Sequence, residues 1–247
     1  MKYILAIDDT DNLESVGTGE QLENIIVVLE KEHGCSCARV TRHQLFFSPR
    51  IRYTSHNSAM STIVTTDALA VQVFNAVCDY LLENAAEGSD PGACLFDVDK
   101  VKAGEIATLE RYGQRCKTEY VHKHEARQIA GELGIMLREL GGEGIGVIGA
   151  LAGAALRLNG SDGRYKGNFE LGVNHDNMLC RDILSHPYVD AVMSEGGEQI
   201  SPDTQVFITQ RIKTVNLDNK SVLLVKRQKT KDGEVFVNLS KAELKKY

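Results

Sequence analysis

The chain has 247 residues, 43% of them hydrophobic and 25% charged, and its 34 acidic and 28 basic side chains leave a formal net charge of -6. This is the balance of an ordinary globular protein, and it argues against a broad basic surface wrapped on nucleic acid. No stretch reaches the roughly 18 apolar residues of a membrane span, and the apolar run at the start covers only Tyr3 to Ile7, so neither a membrane protein nor a secreted one is expected.

Six cysteines are scattered at 35, 37, 78, 94, 116 and 180, without a recurring CxxC. A zinc ribbon or disulfide framework is therefore not expected, and a cytoplasmic protein with reduced thiols is.

In chain order, Tyr3 to Ile7 reads as a strand buried on both faces, ending directly in acids. Leu22, Ile25, Ile26 and Leu29 predict a helix from about Gly19 to Lys31, with Gly34 as its stop. Ala38 to Phe47 and Ser61 to Thr65 are β-rich, with an irregular polar segment, Ser48 to Ser58, between them. A second helix is predicted over about Asp67 to Glu83, then a loop at residues 87 to 92 and a short strand at Ala93 to Val98. A third helix is predicted from about Lys123 to Leu140, followed by the glycine- and alanine-rich residues 141 to 160. Gln205 to Lys213, Val222 to Arg227 and Glu234 to Leu239 read as strands, with turns at Asn219-Lys220 and Asp232-Gly233. The expected fold is mixed α/β (α+β): a strand-helix core over residues 1 to 175 and a small β-rich portion over 176 to 247.

Asp8-Asp9-Thr10-Asp11 stands at the carboxyl end of the first strand, where open α/β sheets bind ligands. Two like charges 4 Å apart cost about 4 kcal/mol at an effective dielectric of 20. Solvent or a cation must offset that, and Mg2+ prefers a few carboxylates together with nucleotide phosphate oxygens. Asp8, Asp9 and Asp11 are thus candidate metal ligands and catalytic residues; the alternative is an exposed acidic turn using Asp and Asn12 for local backbone bonds. Gly17 and Thr18, ahead of the first helix, are candidates for phosphate contact together with Thr10. Thr18-x-x-Gln21 is equally a capping-box pattern.

Gly144, Gly146 and Gly149 match GxGxxG, but a helix is expected before them rather than the strand of a dinucleotide site. Two readings remain for them: close helix packing, or amides that reach phosphate. Residues 203 to 247 carry ten basic and five acidic side chains, which leaves -11 on the rest. A lysine-rich solvated strand edge explains that tail as simply as phosphate contact does.

Three segments together resemble the archaeal tRNA-isoleucine agmatinylcytidine (agmatidine) synthetase family: the opening strand with IDDTD, Thr18 seven residues beyond Asp11, and IGALAG at 148 to 153. In that family a kinase domain of its own type uses ATP to phosphorylate a cytidine of tRNA, and agmatine then displaces the phosphate. The resemblance implies catalysis and Mg2+/ATP binding at Asp8, Asp9 and Asp11, and makes Thr18 the counterpart of a threonine that is itself phosphorylated. Residues 51 to 59 resemble a Gly-Asn-Gly segment of which Asn57 is retained, so Asn57 joins Thr10, Gly17, Thr18, Gly144, Gly146 and Gly149 as nucleotide-binding candidates. Gly19 replaces a further threonine, and the family's cysteine zinc ribbon has no counterpart here. The expected function is ATP- and Mg2+-dependent phosphoryl transfer, with a small-molecule acceptor preferred over tRNA. A nucleotide-binding subunit without turnover, or a reduced tRNA-modifying enzyme with a separate RNA-binding partner, are the alternatives.

Overall fold

The structure is a computed structural model that describes residues 1–54, 56–171, 177–208, 212–230 and 233–247. It is a mixed α/β fold, and the chain divides into two compact units, Met1–Asn159 and Gly160–Tyr247. The boundary expected at 175/176 lies outside the described residues, as do parts of the strand expected at 205 to 213 and of the turn at Asp232-Gly233.

The first unit contains β1 (Lys2–Asp8), α1 (Thr18–Glu32), β2 (Ser36–Cys37), β3 (Thr41–Gln44), β4 (Ser58–Thr65), α2 (Ala70–Asn84) and β5 (Gly92–Asp97). After these come α3 (Ala103–Thr118), α4 (Lys123–Leu133), β6 (Met136–Glu139) and α5 (Gly146–Asn159). Its strands pair in the order β6-β5-β1-β4-β3, with β2 also on β4, and every pairing within the unit is antiparallel. β1 is therefore central but not part of a parallel sheet. Its continuous apolar run follows from helices on both sides. Tyr3, Leu5 and Ile7 pack with Leu22, Ile25 and Leu29 of α1 and with Val73, Val77 and Leu81 of α2. Ile4 and Ala6 face Leu109 and Tyr112 of α3 and the alanines and leucines of α5.

Three expectations are corrected. The stretch Ala38 to Phe47 keeps only Thr41–Gln44 as a regular strand. The helix expected to reach Leu140 ends at Leu133, because Gly134 takes the left-handed conformation (φ 65°) of a helix C-terminus and Met136–Glu139 pairs with β5. The glycine run is consequently preceded by a strand, not a helix. That strand lies at the margin of an antiparallel sheet, which is not the parallel βαβ context of a dinucleotide site.

α5 is buried along nearly its whole length. A Cβ on Gly92 would lie 2.2 Å from the Gly146 carbonyl carbon, so the helix start rests directly on β5.

The second unit holds β7 (Arg164–Tyr165), β8 (Asn177–Leu179), α6 (Cys180–Leu184), β9 (Ala191–Ser194), β10 (Gln205–Phe207), β11 (Val215–Leu217), β12 (Lys220–Thr230) and β13 (Gly233–Asn238). The strand order is β7-β11-β12-β13-β10-β8, with β9 parallel to β12. Asp218 and Asn219 take φ of 51° and 60°, the two-residue turn that joins β11 to β12. Basic residues of this unit are drawn into ion pairs: Lys226 with Glu243, Arg227 with Glu234 at 3.8 Å and Lys246 with Glu195 at 3.0 Å. All six cysteines are free thiols. Among the described residues no helix is long and apolar enough to cross a membrane.

Candidate functional site

β1 ends where Asp9 adopts the left-handed region (φ 53°), a conformation that Asp tolerates better than most residues. The turn carries Asp8, Asp9, Thr10 and Asp11 between the first turns of two helices. On the α1 side, the Thr18 hydroxyl donates to Asp11 Oδ1 at 3.0 Å and accepts the Thr10 amide at 3.4 Å. Thr54 Oγ1 reaches Asp11 Oδ2 at 3.4 Å, so both oxygens of this carboxylate are held by hydroxyls. On the α5 side, a Cβ on Gly149 would lie 1.7 Å from Asp8 Oδ2, and one on Gly146 would lie 2.9 Å from the Asp8 carbonyl. Glycine at 149 is what admits the Asp8 carboxylate against the helix start, and glycine at 146 admits the neighbouring backbone.

Thr18 does not form the expected capping box. The helix cap is Gly17, whose carbonyl accepts the amides of Glu20 and Gln21, and the Gln21 side chain donates instead to the Asn84 carbonyl at 2.7 Å. Asn12 does act locally, accepting the amides of Glu14 and Ser15, both at 2.9 Å. Asn57 is tied elsewhere, its side-chain amide donating to the Phe46 carbonyl at 2.8 Å.

A fourth acid joins the group from a loop with no motif of its own. Asp90, only 2% exposed, accepts the amides of Glu143 and of Gly144 (3.1 Å) on Oδ1, and its carbonyl accepts the Gly146 amide at 3.1 Å. The amides of Gly144 and Gly146 are thus engaged by Asp90. Asp90 Oδ2 lies 3.7 Å from the guanidinium of Arg52.

The electrostatics follow from crowding in a poorly solvated place. Burial pushes the Asp8 carboxyl well above its usual range, aided by the charges of Asp9 and Asp11 and opposed by the Asp9 amide. Asp9 is pushed up to about 6, chiefly by burial and then by Asp90 and Asp11, against the opposing charge of Arg52. The Thr10 hydroxyl oxygen, fully buried within this turn, has no hydrogen-bond partner.

Among the described residues, no three His, Cys, Asp or Glu side chains are arranged to hold a metal ion by themselves. The donor set does suit Mg2+, which is held by one or two carboxylates and completes its shell with water and phosphate oxygens. A cavity of about 220 Å³ lies at the other end of the same sheet, against Asp97, Val101, Leu109 and Ile135, away from the acids.

No family model and no curated protein matches the sequence. Solved structures do match, and they define the fold. A tRNA fluorescent labeling enzyme is 25% identical over 63% of this chain and 36% of its own, with a TM-score of 0.52. TiaS in complex with tRNA and ATP is 19% identical over 86% of this chain and 52% of its own, with a TM-score of 0.53. Apo TiaS, a tRNA-isoleucine agmatidine synthetase, is 17% identical over 96% of this chain and 71% of its own, with a TM-score of 0.52. The chain therefore spans about a third and a half of the first two structures. It shares the fold of part of the agmatidine synthetases, which is the family its IDDTD and IGALAG segments resemble.

Proposed function

We propose that the first unit binds ATP with Mg2+ at the turn after β1 and transfers a phosphoryl group to an acceptor in tRNA. The observation that carries this reading is the convergence of Asp8, Asp9, Asp11 and Asp90 on one turn between the starts of α1 and α5, with the buried Thr10 hydroxyl left unpartnered. Similarity of fold to a synthetase solved with tRNA and ATP supports both the nucleotide and a tRNA acceptor. It shifts the preference from the small-molecule acceptor toward RNA.

Asp8 and Asp11 would hold the Mg2+ ion, with Asp11 fixed by Thr18 and Thr54. Bound Mg2+ neutralises charge on the phosphoryl group in transfer. Asp9, between Asp8 and Asp11 and close enough to Asp90 and Arg52 to feel their charges, would orient the attacking group and take a proton from it where it carries one. The first turn of α1 and the α5 start favour anionic phosphate through their dipoles.

The test is ATP consumption with and without Mg2+, and with and without tRNA. Turnover should require Mg2+, rise with tRNA and vanish in Asp9→Ala. Turnover indifferent to Asp9 would remove the assignment.

A further inference from the structure

The acid turn has a cation beside it, Arg52, which lies within the segment 51 to 59 but was not among the candidate site residues. Arg52 belongs to the irregular segment between β3 and β4, two residues before Thr54, whose hydroxyl reaches Asp11. Its guanidinium is 3.7 Å from Asp90 Oδ2 and 3.4 Å from the Gly88 carbonyl. Both separations are long against the roughly 2.7–2.9 Å of a charge-assisted hydrogen bond. Asp90 already has its other oxygen bonded to two backbone amides. The two partners are also unequally placed, with 65% of the Arg52 side chain exposed against 2% for Asp90. Arg52 is loosely held, solvent-facing and close enough for its charge to be felt at Asp9.

A triphosphate arriving at four carboxylates meets a negative field, and one Mg2+ compensates only part of the combined charge. A planar guanidinium at the mouth supplies the remainder and matches phosphate oxygens two at a time. We propose that Arg52 is a phosphate-binding residue of this site: it releases Asp90 and Gly88 and takes the terminal phosphates of the bound nucleotide. This rests on the nucleotide-site reading above and adds a specificity determinant to it, since Arg52 then favours triphosphate over monophosphate alongside Mg2+.

The experiment is equilibrium binding of ATP, AMP and adenosine in Mg2+ to the full chain, its Arg52→Ala and Arg52→Lys variants, and Asp11→Ala. Arg52→Ala should weaken ATP by about tenfold or more, as loss of a hydrogen bond to a charged group does. AMP and adenosine should bind it as they bind wild type, its circular dichroism should match wild type, and Arg52→Lys should lie between. Undiminished ATP binding by Arg52→Ala, in a protein whose Mg2+-dependent ATP binding is lost in Asp11→Ala, overturns the role of Arg52 alone. Equal loss of all three ligands overturns it too, because that is damage to the loop. Absence of ATP binding by wild type overturns the nucleotide site and this inference together.

Discussion

In the proposed site, Asp9 is the residue with the sharpest electrostatic expectation. Its folded pKa of about 6 lies above the ordinary 3.8, so between these values the native state binds more protons than the unfolded chain. Stability of the ligand-free protein should therefore fall as pH rises from about 4 to about 6, and the penalty should be fully present above that. Asp9→Asn removes it, so the variant should be more stable than wild type by about 2 kcal/mol at neutral pH and much less so near pH 4. Thermal or urea unfolding across that range checks the difference. Thr18 is the second residue with a sharp expectation. Thr18→Val deletes the hydroxyl that holds Asp11, and should reduce ATP turnover by about 10- to 100-fold. Thr18→Ser keeps that donor, so steady-state rates of the two variants should separate widely.

The start of α5 depends on the absence of side chains. Gly149→Ala places a methyl where Asp8 Oδ2 now sits, so helix and acid must part. Displacement of this size should cost on the order of 100-fold in turnover, whereas Gly131→Ala, with nothing within 4 Å of the added Cβ, should leave the rate unchanged. Kinetics beside circular dichroism distinguish the two. The same small residues explain which elements the sequence revealed. β1, α1 and α2 carry large apolar side chains at a clean period, and they stand where expected. α3 escaped notice because its buried face is Leu109, Tyr112, Gly113 and Cys116, in which a glycine and a cysteine replace the usual aliphatic residues to sit against α5. β6 was absorbed into a helix because Leu133, Leu137 and Leu140 continue the 3.6-residue spacing. Only Gly134 marked the break, as a glycine just past a helix end often does. For the site, Asp8, Asp9, Asp11 and Thr18 were legible because they are neighbours in sequence. Asp90 was not, since it arrives from a loop tens of residues away; the segment 51 to 59 was legible for Asn57, whereas Arg52 and Thr54 are the residues of it that reach the acids.

At the scale of the chain, the acidic balance and the proposed RNA acceptor pull in opposite directions. The ion pairs of Lys226, Arg227 and Lys246 consume part of the positive charge that residues 203 to 247 carry. tRNA binding should therefore involve few phosphate contacts, giving a plot of log affinity against log salt that falls with a slope of magnitude about 2 to 4. A slope near -10 would instead indicate an extensive basic interface. Affinity indifferent to salt would argue against tRNA as the acceptor. The central claim is that the acids after β1 serve Mg2+-dependent phosphoryl transfer. Its most direct test is ATP consumption by wild type and Asp9→Ala in the presence of tRNA, with Mg2+ present or chelated. The account predicts turnover by wild type with Mg2+ and a loss of about 100-fold or more on chelation or in Asp9→Ala. It is contradicted if wild type binds ATP yet neither hydrolyses nor transfers it with any acceptor.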